Sequence, residues 1–427
     1  MGFILAGAAS AVGLGNIWRF PTEAAHNGGG AFVVVYIIVV LLFGALLLCT
    51  EIALGRKTRK SPIDAFKSIC PHSKWVGVLA VLVPALILPY YCVIGGWVIG
   101  YIGEYVSGDA ASVVSSGHFA DLAGSWLAVG LFIVFLVASL VVIWMGVEKG
   151  IERLSKIFMP ALLVMIVGLV IYTLLQPDMG DGLSFYLSFH LEDVSGKTLT
   201  SALGQAFFSL SLAMGIMITY GSYMKKEDNI ETCALSIGII DTCVALLCGL
   251  LIVPLAYATS GGDIPGGVGL VFTTLPQIFD GMAGGMAVAI VFFVLLFIAA
   301  WTSAISVAEA VVSTIADKTG WSRHRCIAVI LVPMVVVGAI ISLGFGPLDF
   351  ITIGGKDLLT AFDSLTNKVM MPIVAFATCI VIGHIVGTKV ITDEIESSGK
   401  FRLKALYPIM IKWVAPICIA AIVIVGF

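Results

Sequence analysis

Residues 7–32 read GAASAVGLGNIWRFPTEAAHNGGGAF, and this stretch decides the fold. Its neighbourhood is apolar enough for a membrane-spanning helix, which needs about 20 such residues. Residues 10–16 interrupt that helix with Gly13, Gly15 and the polar Asn16. Glycine weakens a helix by about 1 kcal/mol per residue, and a serine hydroxyl competes for backbone hydrogen bonds. We therefore predict a first span, residues 3–24, that is broken near its middle.

A second segment of the same kind, SLSLAMG, occupies residues 209–215. It interrupts the sixth predicted span, five helices after the first. Two broken helices at matching positions of two five-helix halves are typical of an inverted-repeat transporter. Irregular backbone at membrane depth persists only where it lines a protein cavity or water. The freed carbonyls suit cations, and the free N–H groups of the half-helices suit an anion such as a carboxylate.

The composition of the whole chain agrees with a membrane protein. Of its 427 residues, 59% are hydrophobic and only 11% are charged, and the mean hydropathy is +1.09. Soluble chains carry about 25% charged residues, so a soluble enzyme is excluded. A net charge of −3 without a basic stripe also excludes a nucleic-acid binder. The nine cysteines form neither a disulfide framework nor a C-x-x-C metal motif.

Eleven stretches are long enough to span a bilayer as helices. They are apolar all round, whereas the strands of a membrane barrel would alternate with a period of two. The predicted spans are residues 3–24, 30–54, 76–107, 125–146, 151–175, 200–222, 230–257, 283–316, 324–345, 359–387 and 405–427. The first repeat would cover residues 1–175 and the second residues 198–388, with an additional eleventh helix in residues 403–427.

The lysines and arginines predict the orientation of these spans. Most of the 23 basic residues lie in or beside loops of one side if the N terminus is cytoplasmic, as the positive-inside rule requires. We therefore expect a multi-pass protein of the cell (inner or plasma) membrane with a cytoplasmic N terminus. No basic segment precedes the first span, so we expect no cleavable signal peptide.

Several segments resemble the neurotransmitter:sodium symporter family. The matching residues are 10–21 (SAVGLGNIWRFP), 27–32 (NGGGAF), Glu51 with Gly55-Arg56, Tyr90-Tyr91, 205–211, 219–220, Thr302-Ser303 and Asp363. The eleven-helix form is similar to a bacterial subgroup that carries amino acids. The resemblance implies an all-α leucine-transporter fold, with a 5+5 inverted repeat whose helices 1 and 6 are broken. It also implies a sodium-coupled symporter that works by alternating access, not an enzyme.

The resemblance implies two sodium sites built from oxygen ligands, as a hard cation requires. The positions matching the first site are Ala11, Asn16, Ser209 and Asp241. The positions matching the second are the carbonyls of Ala9, Val12 and Ala299 with the hydroxyls of Thr302 and Ser303. Alternatively, both of these hydroxyls hydrogen-bond back to their own helix, as most membrane serines and threonines do.

The resemblance also implies a substrate held between the two breaks. Relatives that carry monoamines have an aspartate at the position of Gly13, so the substrate here should bring its own carboxylate. The lining is mostly apolar and Met214 is adaptable, which favours a hydrophobic or aromatic amino acid. Another carboxylated amine or an osmolyte stays open, as does plain core packing of the apolar lining. The expected substrate-binding residues are Ser10, Ala11, Gly13, Ile87, Tyr91, Phe208, Ser209, Ser211, Met214, Ser303 and Val307.

Charges within the spans cost about 2.5–3.5 kcal/mol each, so we expect each to have a function. Arg19 and Asp363 match an outer gate that closes by a direct or water-bridged pair, with Phe208 as its lid. Asp317 matches the acidic partner of an inner gate, although the usual arginine before the first span does not occur in this sequence. Glu51 should hold freed backbone amides of both broken helices, and Glu309 receives no role.

Chloride-dependent relatives carry a serine at the position of Ala245, and alanine cannot bind the anion. Asp241, one turn earlier on the same helix face, supplies a fixed negative charge instead. We therefore expect no chloride requirement and, as a corollary, proton antiport on the return step. We expect a monomer or weak homodimer in the lipid bilayer with no nucleic-acid partner. A channel or an intramembrane enzyme fits less well, because the polar residues cluster at mid-membrane and no catalytic motif occurs.

Gly150 and Pro160 begin the fifth predicted span. They resemble a family pattern whose local unwinding lets water reach the second sodium. An ordinary kink is the alternative, since proline removes a backbone hydrogen bond.

Overall fold

The computed structural model describes residues 2–115, 117–260, 264 and 266–426. Within these residues, helices account for the regular structure, and the one β-type contact is an isolated bridge between Ile353 and Lys356. Long runs of leucine, isoleucine, valine and alanine form helices here because a bilayer leaves no water to satisfy the backbone groups. The prediction of an all-α protein is confirmed.

The helices relevant to membrane crossing follow the predicted order. They are α1a (Gly2–Ala11), α1b (Gly15–His26), α2 (Gly30–Thr58), α3 (Pro71–Ser107), α4 (Trp126–Trp144), α5 (Lys149–Leu174), α6a (Gly196–Ser209), α6b (Ile216–Tyr223), α7 (Ile230–Thr259), α8 (Gly285–Thr319), α9 (Arg323–Leu343), α10 (Leu358–Ile385) and α11 (Tyr407–Ala421). Several extend beyond the predicted apolar limits, because polar residues at a membrane surface can continue a helix.

Eight of the helices in the described residues are long and apolar enough to cross a membrane, and the bent pair α1a–α1b makes nine. The two halves of α6 and the helix α11 are shorter. The membrane crossings by α6 and α11 therefore remain a prediction, and with them the total of eleven. The side of the bundle on which α1a begins is called the inner side below, and the opposite side the outer side.

Both predicted breaks are present. The two halves of α1 meet at an angle of 54°. Between α6a and α6b, Ser211, Ala213 and Gly215 have φ angles of 52°, 62° and 67°. These angles belong to the left-handed region, where a right-handed helix cannot continue. The backbone is therefore irregular at the same depth in both helices.

The start of α5 also departs from an ordinary helix. Gly146 has a φ of 90°, and Val147–Glu152, which includes Gly150, is π-helical. Pro160 lies inside the following α-helix. A π-helical turn of this kind is rare and often occurs at functional sites.

The packing around the breaks involves six helices, namely α1, α2, α3, α6, α7 and α8. α8 packs along α3, and α6b packs along α2. α1a contacts both α7 and α8. The two breaks consequently face each other across a narrow space bordered by α3 and α8.

Candidate functional site

A small cavity lies between the two breaks. The centre of a water molecule can occupy about 30 Å³ of it. All the residues expected to bind substrate line this cavity, together with Leu14 and Gly15. The expected substrate-binding residues are spread over almost 300 positions of the sequence. The structure brings all of them together, from α1, α3, α6 and α8.

Serine hydroxyls from two elements bind the break in α1. The Ser303 hydroxyl of α8 lies 3.2 Å from the carbonyl oxygen of Ser10 and 3.1 Å from that of Val12, and it donates to both. The Ser211 hydroxyl of the α6 break donates to the Ser10 carbonyl at 3.2 Å. The Ser10 hydroxyl itself is buried without a partner among the described residues. Hydroxyl groups of α6 and α8 thus both donate hydrogen bonds to the freed carbonyls of α1.

Gly13 occupies a position that tolerates no side chain. A Cβ atom there would lie 2.6 Å from the Ser303 hydroxyl and 2.8 Å from the Tyr91 hydroxyl, and both distances are shorter than real contacts. The Tyr91 hydroxyl accepts a hydrogen bond from the backbone N–H of Leu14 at 3.2 Å. Glycine therefore lets the hydroxyl of α3 reach the backbone of the break.

The expected ligands of the first sodium form one buried polar cluster. The Asn16 amide donates to the Asp241 carboxylate at 2.8 Å and to the Ser209 hydroxyl at 3.1 Å. The Ser209 hydroxyl donates to the other Asp241 oxygen at 2.7 Å, and the Tyr36 hydroxyl does so at 3.4 Å. Asp241 is 0% exposed, and it takes part in none of the ion pairs formed by the described residues. A buried carboxylate without a cationic side chain is either protonated or paired with a cation from elsewhere.

The residues expected at the second sodium site divide into two groups. The Thr302 hydroxyl donates back to the Ile298 carbonyl of its own helix at 2.9 Å, as the alternative interpretation holds. The Ser303 hydroxyl instead contacts the Val12 carbonyl across the helix interface. Ala9 and Ala299 are buried as well. A hydroxyl that donates keeps its lone pairs, so both side chains can still face a cation.

A larger vestibule of about 420 Å³ lies on the outer side of the cavity. Arg19, Asp363 and Phe208 line it. Phe208 also lines the small cavity, as do Leu14 and Tyr91, so these three residues lie between the two spaces. The Arg19 guanidinium lies 5.0 Å above the Phe208 ring centre. Its nearest carboxylate in the described residues is that of Glu23, at 4.0 Å.

Asp363 has other partners in this structure. Its carboxylate accepts hydrogen bonds from the Tyr90 hydroxyl at 3.3 Å and the Asn367 amide at 2.6 Å. No direct ion pair with Arg19 occurs among the described residues. Of the two forms expected for the outer gate, the direct pair is absent here, and the water-bridged form stays a prediction.

Glu309, for which the sequence suggested no role, is a central residue of the inner side. Its side chain is 0% exposed and forms an ion pair with Arg323 at the start of α9. It also accepts a hydrogen bond from the Tyr223 hydroxyl of α6b at 2.8 Å. Arg323 donates further to the Ile143 carbonyl of α4 at 3.3 Å. This network joins α6b to α4, α8 and α9.

The signal for this network was present in the sequence. A carboxylate inside a span needs a partner, and Arg323 begins the next span. The positive-inside rule treats Arg323 only as a basic residue beside an inner loop, so the ion pair with Glu309 is not part of the sequence prediction.

The other two charged positions also have partners. Asp317 accepts a hydrogen bond from the backbone N–H of Ser61 at 2.8 Å, and the adjacent Lys318 pairs with Asp64. Glu51 accepts a hydrogen bond from the backbone N–H of Ala213 at 2.7 Å. The role predicted for Glu51 is thus confirmed for the break in α6. No bond from Glu51 to α1 occurs among the described residues.

Comparison with known proteins decides the family. A family model described as the sodium:neurotransmitter symporter family matches residues 1–111 and 123–427. The chain belongs to this family. A member of the sodium:neurotransmitter symporter family is a transporter rather than an enzyme, and this chain is accordingly a sodium-dependent, multi-pass membrane transporter.

Individual relatives of the sodium:neurotransmitter symporter family match over most of their length. An uncharacterized sodium-dependent transporter of Bacillus subtilis, YhdH, is 34% identical over 380 residues, covering 87% of this chain and 84% of the relative. An uncharacterized sodium-dependent transporter of Haemophilus influenzae is 30% identical over 439 residues, covering 99% and 96%. The crystal structure of MhsT in complex with L-phenylalanine matches with a TM-score of 0.90 at 34% identity, covering 100% of this chain and 98% of that one. The predicted leucine-transporter fold is thereby confirmed.

Proposed function

We propose that this transporter imports a hydrophobic or aromatic amino acid together with sodium, by alternating access. The observation that carries the proposal is the cavity between the two breaks. Its polar groups come from the breaks and from Tyr91 and Ser303, whereas Ile87, Met214 and Val307 form an apolar part. A ligand with a charged backbone and an apolar side chain matches this division. MhsT, which is similar over the whole chain, has been crystallised with such a ligand, L-phenylalanine.

The ligand must bring its own carboxylate. Gly13 leaves no room for an acidic side chain, because its Cβ position is already enclosed by the hydroxyls of Tyr91 and Ser303. A substrate carboxylate would bind near the Tyr91 hydroxyl and the first sodium. Its ammonium group would bind the freed carbonyls of the breaks, which already attract the hydroxyls of Ser211 and Ser303.

Two sodium ions would accompany the substrate. The Asp241 cluster would hold the first, with the Ala11 carbonyl. The carbonyls of Ala9, Val12 and Ala299 and the hydroxyls of Thr302 and Ser303 would hold the second, and the contact of Ser303 with the Val12 carbonyl supports this proposal. The carboxylate of Asp241 would supply the negative charge for which relatives use chloride, since Ala245 offers no hydroxyl. We therefore propose transport without chloride, and return of the empty carrier with a proton on Asp241.

The inner side of the bundle would face the cytoplasm, in the cell membrane. Residues 1–175 and 198–388 would form the two inverted repeats that move relative to each other, with residues 403–427 as an addition. The protein would act as a monomer or weak homodimer.

Uptake into liposomes tests the proposal directly. Purified protein is reconstituted and given labelled L-phenylalanine under an inward sodium gradient, with and without an ionophore that dissipates the gradient. We expect gradient-dependent, saturable uptake. Competition by leucine, tyrosine and tryptophan should exceed that by glycine or glutamate, because burial of apolar surface contributes roughly 25 cal/mol per Å².

Phenethylamine serves as the matched control, since it equals phenylalanine without the carboxylate. It should compete at least 100-fold more weakly. A better competition by phenethylamine or by glutamate would contradict the proposed substrate class. If betaine-like or other carboxylated amines compete best, the substrate is instead the alternative named above, a carboxylated amine or an osmolyte.

A further inference from the structure

A buried arginine at the inner end of α2 joins three separate parts of the chain. Arg56 is 2% exposed. Its Nε atom donates to the Glu394 carboxylate at 2.7 Å, and one terminal nitrogen donates to the Asp228 carbonyl at 2.8 Å. The other terminal nitrogen donates to the Ser397 hydroxyl at 2.9 Å and to the Glu394 carbonyl. Every nitrogen of the guanidinium therefore has a partner outside α2.

Two neighbouring side chains join the same three parts. Arg59 donates to the carbonyls of Ser222, at 3.3 Å, and Met224, at the end of α6b. Glu231, at the start of α7, accepts hydrogen bonds from the backbone N–H groups of residues 402 and 403, at 2.9 and 3.0 Å. The group formed by Arg56, Arg59, Glu231 and Glu394 is called the inner staple below. It fastens α2, the connection between α6b and α7, and the segment 389–404 before α11.

A second set of inner contacts has a different geometry. Glu309, Asp317 and Lys318 all project from α8, and they hold α6b and the segment after α2. Alternating access in such transporters is largely a rocking of one group of helices against another. The bond between Glu309 and Tyr223 lies between α8 and the broken helix, so opening the inner side must break it. The inner staple contains no residue of α8.

We propose that Arg56 is a positioning residue for transport, because the inner staple stays closed throughout the cycle and makes segment 389–404 move together with α2 and α6b. Arg56 lies at the end of the helix, away from the cavity between the breaks. It acts by transmitting the movement of the broken helix to a segment that would otherwise lag behind. This inference rests on the transporter activity of the family and not on the choice of substrate.

The geometry makes arginine necessary here. A planar guanidinium offers donors in a fixed fork, whereas a lysine is a single point charge on a flexible stem. Arg56→Lys keeps the positive charge but loses most of the simultaneous bonds. Lys57 is the matched control, since it is adjacent and exposed.

The first experiment compares Arg56→Lys with Lys57→Gln in reconstituted protein. Labelled L-phenylalanine uptake and sodium-dependent binding are both measured, and Ala6→Cys, which lines the inner pocket, reports opening through its reaction with a maleimide. We expect Arg56→Lys to lower the turnover of L-phenylalanine uptake at least tenfold. The effect of sodium on the labelling rate of Ala6→Cys should fall by a similar factor. The affinity for L-phenylalanine should stay within twofold of that of the parent. Unchanged turnover and labelling, or parallel losses of affinity and folded protein, would overturn the positioning role.

The second experiment needs no change at Arg56. Cysteines replace Asp228 and Ser397 in a background without Cys70, Cys243 and Cys418, the cysteines that are not fully buried. A short bifunctional thiol reagent then locks the inner staple, after which Ala6→Cys labelling is measured with and without sodium. The response to sodium should persist.

The control pair replaces Tyr223 and Glu309, which are hydrogen-bonded across the contact between α6b and α8. The same reagent should abolish the sodium response in this pair. If locking residues 228 and 397 also abolishes the response, the inner staple must open during the cycle and the proposal is wrong. If L-phenylalanine is not transported by the parent, the proposed substrate fails, whereas the sodium response still decides the role of the staple.

Discussion

Neutralising Glu309 should release the inner side of the transporter. Glu309→Gln keeps an amide oxygen for the Tyr223 hydroxyl but removes the charge that pairs with Arg323. The ion pair joins α8 to α9, so only the bond from Tyr223 of α6b changes when the inner side opens. A hydrogen bond to a charged group contributes about 1.5–3 kcal/mol and one between neutral groups about 0.5–1.5 kcal/mol, so the bond weakens by about 1 kcal/mol. At about 1.36 kcal/mol per factor of ten, the closed inner side becomes about fivefold less favoured.

The assay uses Ala6→Cys in the inner pocket. A membrane-impermeant maleimide added from the inner side should react about fivefold faster in the Glu309→Gln background, and maximal uptake should fall. Tyr223→Phe, which removes the same bond, should have an equal or larger effect. The double variant should show less than the sum of the two, since partners in one network are not additive. An unchanged labelling rate in Glu309→Gln would refute a role of the bond between Glu309 and Tyr223 in closing the inner side.

The remaining predictions concern the cavity and its ions. Replacing Thr302 with alanine and Ser303 with valine should weaken the sodium dependence of uptake at least tenfold, and an unaltered sodium titration would contradict the second site. Substituting gluconate for chloride should leave uptake of the parent unchanged, whereas Asp241→Asn should be impaired; a parent that requires chloride would refute the role of this carboxylate. Gly13→Ala should weaken substrate binding by about 10- to 100-fold, because overpacking costs roughly 1–3 kcal/mol, and binding measured at saturating sodium checks this.

Much of the fold could be predicted from the sequence because the membrane restricts the choice. Long apolar runs must be helices, and the two breaks could be located from glycine and serine at residues 10–16 and 209–215. The helix limits were less accurate. Pro71 begins α3 five residues before the predicted start, because the polar residues there extend the helix beyond the apolar run that defined the prediction.

The site was predictable where it resembled a known family, and less so where contacts depend on packing. The cavity lining and the Asp241 cluster gather residues whose proximity only the resemblance indicated. The network of Glu309 was missed, because its partners Tyr223 and Arg323 come from different helices. The partner of Asp317 could not be predicted either. It is the backbone N–H group of Ser61, and every residue except proline has such a group, so the residue types give no indication of it.

The left-handed residues of the α6 break have a consequence for binding itself. Ser211 and Ala213 carry side chains that disfavour such angles, and yet Glu51 holds the N–H group of Ala213 in place. The segment is therefore stiff rather than a loose linker. Fixing the backbone of one residue costs about 1–2 kcal/mol in conformational entropy, and the bond from Glu51 offsets part of this cost within the protein itself. A break that the protein itself orders lowers the entropy cost of binding the substrate proposed above.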